Sequence, residues 1–133
     1  MNTLPKSLRE IKKGKLEVRM VMNQNEAQSG SLPHYEIRNT SEGNPASNVL
    51  STIQIHKQIP IIYSVFCDFP GEDTMLYPLG FALTKSGADR LAHRQAVSLA
   101  NKIAQCSSPY LPVTDLSERD RDDFARKIAE AQK

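Results

Sequence analysis

Residues 74–105, TMLYPLGFALTKSGADRLAHRQAVSLANKIAQ, hold the one junction in the chain where an extended apolar stretch runs directly into a long amphipathic helix. In its second half Ala88, Leu91, Ala92, Gln95, Ala96, Leu99, Ala100 and Ile103 recur at spacings of three and four, which lays a largely apolar stripe along one side of a helix. Ser86 stands ahead of the run as the expected N-cap, and Asp89 falls near the first turn, where the helix dipole favours a negative charge. Arg90, His93, Arg94, Asn101 and Lys102 fall on the other side, so the exposed face is expected to be basic and to bear one titratable imidazole. Ala88, Ala92, Ala96, Ala100 and Ala104 keep the apolar stripe thin, and the helix is expected to lie close against a sheet.

The residues upstream offer that sheet. Val49, Ser51, Ile53 and Ile55 line one side of a strand, and the β-branched and aromatic run IPIIYSVFCDF, residues 59–69, reads as a central strand buried on both faces. Pro60 belongs at its start, because proline cannot donate into a ladder. PGED, residues 70–73, reads as a turn that returns residues 74–84 antiparallel to it. Further upstream, TSEGNPASN at 40–48 and residues 28–33 read as loops, with Tyr35 and Ile37 alternating in a short strand between them. Leu16, Val18, Met20 and Met22 alternate with Glu17 and Arg19 and favour a strand, although Leu16, Met20 and Ala27 also fit one side of a helix. Residues 4–13 suit a short helical turn with Leu8 and Ile11 three apart, ended by Gly14.

Downstream, Pro109 and Pro112 make residues 105–116 irregular. A last helix is expected from Ser117, with Asp120 completing a capping box and Phe124, Ile128 and Ala131 forming a narrow apolar stripe. Such a helix is marginal alone and must dock on the domain or on a partner. The expected architecture is therefore α+β, an antiparallel sheet of three to five strands with a long helix packed on one face and a further C-terminal helix. Residues 1–15 form a basic arm, 16–105 the α+β domain, and 106–133 a linker and helix.

At 133 residues, with 39% apolar and 24% charged side chains, the chain has the length and composition of one globular domain. No apolar run reaches eighteen residues and no secretory signal follows the basic start, so no membrane partner is expected. Two cysteines, Cys67 and Cys106, point to a reducing intracellular setting without a disulfide. The net charge of +2 is unevenly spread: residues 1–19 carry +4, residues 20–84 carry −4 and residues 85–105 carry +3. An acidic middle between two basic segments suits one polyanion-facing side and one solvated side.

Enzyme chemistry finds no support in the residues. His34, His56 and His93 are dispersed and hold no metal-ligand spacing with either cysteine, and no nucleophile motif or phosphate-cradling glycine loop occurs. Asp68, Glu72 and Asp73, and likewise Asp122 and Asp123, read as solvent-facing carboxylates, and Tyr35, Tyr63, Tyr77 and Tyr110 as core or hairpin aromatics. No catalytic residue, metal or cofactor is expected.

A hairpin entering a helix that begins with basic residues and continues through an alanine repeat resembles the C-terminal half of a double-stranded RNA-binding domain. In SGADRLAHRQAVSLANKI, Arg90 stands at that family's second lysine, Ala92 at its alanine, His93 at its third basic position, and Ala96 and Val97 at its alanine pair. Asp89 occupies the first lysine position. Upstream, LPHYEIRNTSEGNPASNV resembles the first strand and following loop, with Tyr35 as the strand aromatic, Pro45 in the loop, and Ser47 where the family carries a histidine that enters the minor groove.

The resemblance implies sequence-independent binding of structured RNA. A-form duplexes are recognised by shape, with helix N-termini and cations over the phosphates beside a groove too narrow to read. Lys85, Arg90, His93, Arg94 and Lys102 are the expected contacts, with His93 adding charge on acidification. The alternative reading is a protein-interaction or dimerisation module that uses its sheet face or edge, suggested by the surplus of apolar residues at 59–69.

Overall fold

A computed structural model describes residues 4–9, 11, 13–22, 32–41, 44–59, 61–70, 76–107 and 110–131. Strict alternation builds the first strand, β1 (Lys15–Val21): Leu16, Val18 and Met20 are buried, and Lys15, Glu17 and Arg19 face the other way. It pairs antiparallel with β2 (His34–Ser41), placing Met20 opposite Tyr35 and Lys15 opposite Thr40. The meander continues antiparallel through β3 (Asn44–Ile59), β4 (Ile62–Asp68) and β5 (Tyr77–Ala82). A sixth strand, β6 (Val113–Asp115), lies parallel to β1, so the sheet order is β5-β4-β3-β2-β1-β6.

One face of this sheet is covered by the long helix α2 (Lys85–Cys106), which touches each of the first five strands. The short helix α1 (Lys6–Arg9) packs beside α2 and adds Leu8 to the core, joined by Leu4 just before the helix. The C-terminal helix α3 (Ser117–Ala131) docks against β1 and brings Phe124 onto the core. Leu16, Ile37, Ile53, Val65 and Ile103 are completely buried between sheet and helix layer. Burying a side chain of that size contributes roughly 1.5–3 kcal/mol each.

The α+β architecture with a long helix on one face is as expected, but the sheet is larger and mixed rather than purely antiparallel. β6 escaped the sequence because three residues beside Pro112 carry no pattern. Tertiary pairing makes the strand, with Leu16 N donating to Pro112 O and Leu116 N to Val18 O, both at 2.8 Å. Of the loop expected at 40–48, residues 40–41 and 44–48 are strand, since β2 runs to Ser41 and β3 begins at Asn44, and residues 42–43 lie outside the described residues. Register shifts between Ile37 and Arg38 and between Asn39 and Ser41 let a run of turn-forming residues pair as an irregular hairpin. β4 is not buried on both faces, since Tyr63, Val65 and Cys67 face the helix while Ile62, Ser64, Phe66 and Asp68 stay half-exposed. Burial of Leu4 and Leu8, and the place of β6 in the sheet, also join the segments expected as arm and linker to the central unit. The turn expected at 70–73, Pro60 and residues 28–31 lie at or beyond the limits of the described residues.

The N-terminal helix ends at Arg9 rather than at Gly14, which instead stands just before β1 with φ +113°; a Cβ there would stand within 3 Å of the Thr40 carbonyl. Ala96 is fully buried under the sheet, whereas Ser98, half a turn on, is exposed. Ala96→Leu should therefore cost about 1–3 kcal/mol in urea unfolding. Ser98→Leu should change stability by less than about 0.5 kcal/mol. Equal effects would contradict the close helix–sheet packing.

Candidate nucleic-acid interface

The basic helix begins two residues earlier than its sequence suggests. Thr84, in extended conformation (φ −133°, ψ 156°), is the N-cap of α2, and its Oγ1 accepts from Gly87 N at 2.9 Å. Ser86, the expected cap, lies within the first turn and is exposed. The buried stripe of α2 comprises Ala88, Ala92, Ala96, Leu99, Ala100, Ile103 and Ala104. Leu91 and Gln95 flank it half-exposed.

Asp89, one position from that stripe, turns inward. It accepts a hydrogen bond from the Tyr35 hydroxyl, and its Oδ2 lies 3.0 Å from Arg121 Nη2, which also donates to Tyr35 Oη at 2.6 Å. One carboxylate thus joins α2, β2 and α3. Burial, reinforced by the hydrogen bond and negative charge of Asp89, pushes the Tyr35 hydroxyl well above its ordinary pKa against the opposing pull of Arg121. Tyr35 is therefore a neutral donor, fully buried as its apolar context led one to expect.

His93 belongs to the same node. Its ring stacks on Tyr35 with centroids 5.4 Å apart and planes at 18°, and its Nε2 lies 2.7 Å from Asp115 Oδ2. The other oxygen of Asp115 accepts from Ser117 N at 3.0 Å and caps α3. The capping box expected from Ser117 and Asp120 is not formed: Ser117 Oγ is buried with no hydrogen-bond partner among the described residues. Partial burial works to raise the Asp115 carboxyl, but the Ser117 amide and His93 outweigh it and hold the group below the usual carboxylate range.

What remains outward on α2 is positive. Arg90, Arg94 and Lys102 are exposed, and none of them makes an ion pair among the described residues. Arg90 and Arg94 are one turn apart, and Lys102 follows about 12 Å further along the helix. Lys85, exposed at the first helical residue, has an interaction of its own. The structure therefore gathers Lys85, Arg90, Arg94 and Lys102 on the outside of one helix and separates His93 from them. Sequence reasoning missed Asp115 and Arg121 as members of the node, because each meets its partners across more than twenty residues of intervening chain.

The antiparallel pair β4–β5 leads directly into α2, the order expected from the sequence. Pro45 and Ser47, however, lie within β3 rather than in a loop, and α1 has only four residues. Among the described residues no cluster of three His, Cys, Asp or Glu side chains is arranged to hold a metal ion, and no helix is long and apolar enough to cross a membrane. Cys67 is a buried free thiol and Cys106 an exposed one.

A carboxyl held below its ordinary pKa in the folded state stabilises the fold above that ordinary value and loses the contribution as pH falls through its folded value. Asp115→Asn should therefore lower stability by about 0.5–2 kcal/mol at neutral pH, the usual range for a lost helix cap. In urea titrations across pH, that difference should shrink on entering the acid range below the ordinary aspartate pKa; a pH-independent difference would contradict the capping role. No protein family model, curated protein or solved structure matches this chain.

Proposed function

We propose that the outer face of α2 binds duplex RNA through its phosphates, without reading sequence. The observation that carries this is the segregation of charge along one helix. Asp89, its one acid, is turned inward and paired with Arg121, while Arg90, Arg94 and Lys102 project outward without partners among the described residues. Asp89 stands where the resembling family grips phosphate with lysine. Its pairing inside the fold removes much of the repulsion that an outward carboxylate would cause there. Lys85 adds a cation at the helix start, where the amide dipoles favour an anion. His93 contributes by orienting α2 against α3 through Asp115 rather than by touching phosphate.

A second reading has its own observation. Ile61, Phe81 and Leu83 are 64%, 66% and 62% exposed, and β5 is the outer strand at that side of the sheet. An apolar corner beside an open strand edge suits a protein partner.

Titration of a labelled RNA duplex at low and moderate salt separates the two. The RNA reading expects a complex that weakens steeply with salt, as counterion release requires. Arg90→Glu with Arg94→Glu should abolish that complex while the thermal midpoint stays nearly unchanged, since both side chains are exposed. Absence of any salt-sensitive complex would overturn the RNA reading and leave the protein-interaction reading standing.

A further inference from the structure

Where the C-terminal helix docks against β1 and β2 it leaves a cleft of about 300 Å³. Its floor and apolar wall come from Met20, Val21, Met22 and Phe124. Its polar rim comes from two kinds of charge that sit at different depths. Asp120 and Glu36 are 15% and 13% exposed, whereas their cationic partners Arg19 and Arg38 are 38% and 29% exposed. The acids lie beneath and the guanidinium groups lie at the lip.

The pairing is also uneven. Arg38 holds Glu36 tightly, at 2.7 Å, but Arg19 reaches Asp120 only at 3.4 Å through each of its two contacts. Asp123 is matched by Arg126, one turn along α3 at 2.5 Å. Lys127, which also lines the cleft, makes no ion pair among the described residues and is the surplus cation. Guanidinium groups present a planar fork of donors that fits a carboxylate or phosphate, and an ammonium supplies a further point charge. A cavity of this volume falls at the lower end of the range used for small ligands.

From this arrangement we propose that the cleft binds a small ligand bearing an oxyanion, carboxylate or phosphate, on an apolar body. The oxyanion meets Arg19 and Lys127 at the lip, and the apolar body lies along Met20, Met22 and Phe124. This site is lined by β1, β2, α3 and the residue after β1, with no residue of α2, and does not depend on the RNA reading.

The test uses the full chain with methyl-labelled methionine, followed by NMR as phenyl phosphate, benzoate and benzyl alcohol are titrated separately. The expected result is saturable movement of the Met20 and Met22 methyl signals with at least one of the two anions, and none with the neutral alcohol. The tighter of the two anions names the source of the oxyanion. Lys127→Glu, at an exposed position with no ion pair to lose, should weaken that binding at least fivefold while leaving the unliganded methyl spectrum in place. Failure of both anions to saturate, equal binding of the alcohol, or equal affinity in Lys127→Glu would each overturn the proposal.

Discussion

The carboxylate of Asp89 is the point on which the layers of this protein depend. It accepts from Tyr35 on β2 and pairs with Arg121 on α3, while its own backbone belongs to α2. A carboxylate drawn partly out of water is costly unless it is paired and hydrogen-bonded, and here one guanidinium and one phenol meet that requirement together. Removing either partner would leave a half-buried charge or donor exposed to that cost, so the three elements are coupled more strongly than their apolar contacts alone would make them. His93 and Asp115 extend the coupling by one further step, from the Tyr35 ring to the first amide of α3.

The same inward turn sets the electrostatics of the surface. A helix with one acid among its cations would ordinarily mix both signs on its outer face. Here the acid is used for architecture, as is the acid facing His93, and the outer face keeps its positive sign. The proposed interface is thus a consequence of how α3 is docked, because the guanidinium that neutralises Asp89 comes from α3. Docking α3 also creates the cleft against β1 and β2, where Arg19 and Asp120 meet. One C-terminal helix thereby shapes two chemically different surfaces.

Periodicity made much of this legible in the chain. The alanine stripe of α2 and the alternation in β1 appear in the residues because each element buries one face against a single neighbouring layer, whereas β4 was legible as a strand but not as one with a single buried face. The reach of β2 to Ser41 and of β3 back to Asn44 was not legible, since turn-forming residues there are overruled by cross-strand pairing with shifted register. β6 is too short for any pattern, and it exists because Leu16 and Val18 leave backbone groups for it at the sheet edge. The basic candidates Arg90, Arg94, Lys102 and Lys85 were readable from helical phase. The role of His93 was not, because phase alone placed it with the outward cations while its partner Asp115 comes from a stretch with no regular signal. Asp89 offered one clue, as the residue that broke the basic pattern.

The account is tested most directly by a double-mutant cycle on Asp89 and Arg121, using Asp89→Asn, Arg121→Gln and their combination, with unfolding free energies from urea titration at neutral pH. If this pair ties α2 to α3, the single changes are not additive, and the coupling should reach roughly 0.5–2 kcal/mol for a contact of this partial exposure. Additivity within about 0.3 kcal/mol would mean that the carboxylate and guanidinium do not meet in solution, and the inward disposal of negative charge on which both the fold and the basic face rest would be contradicted.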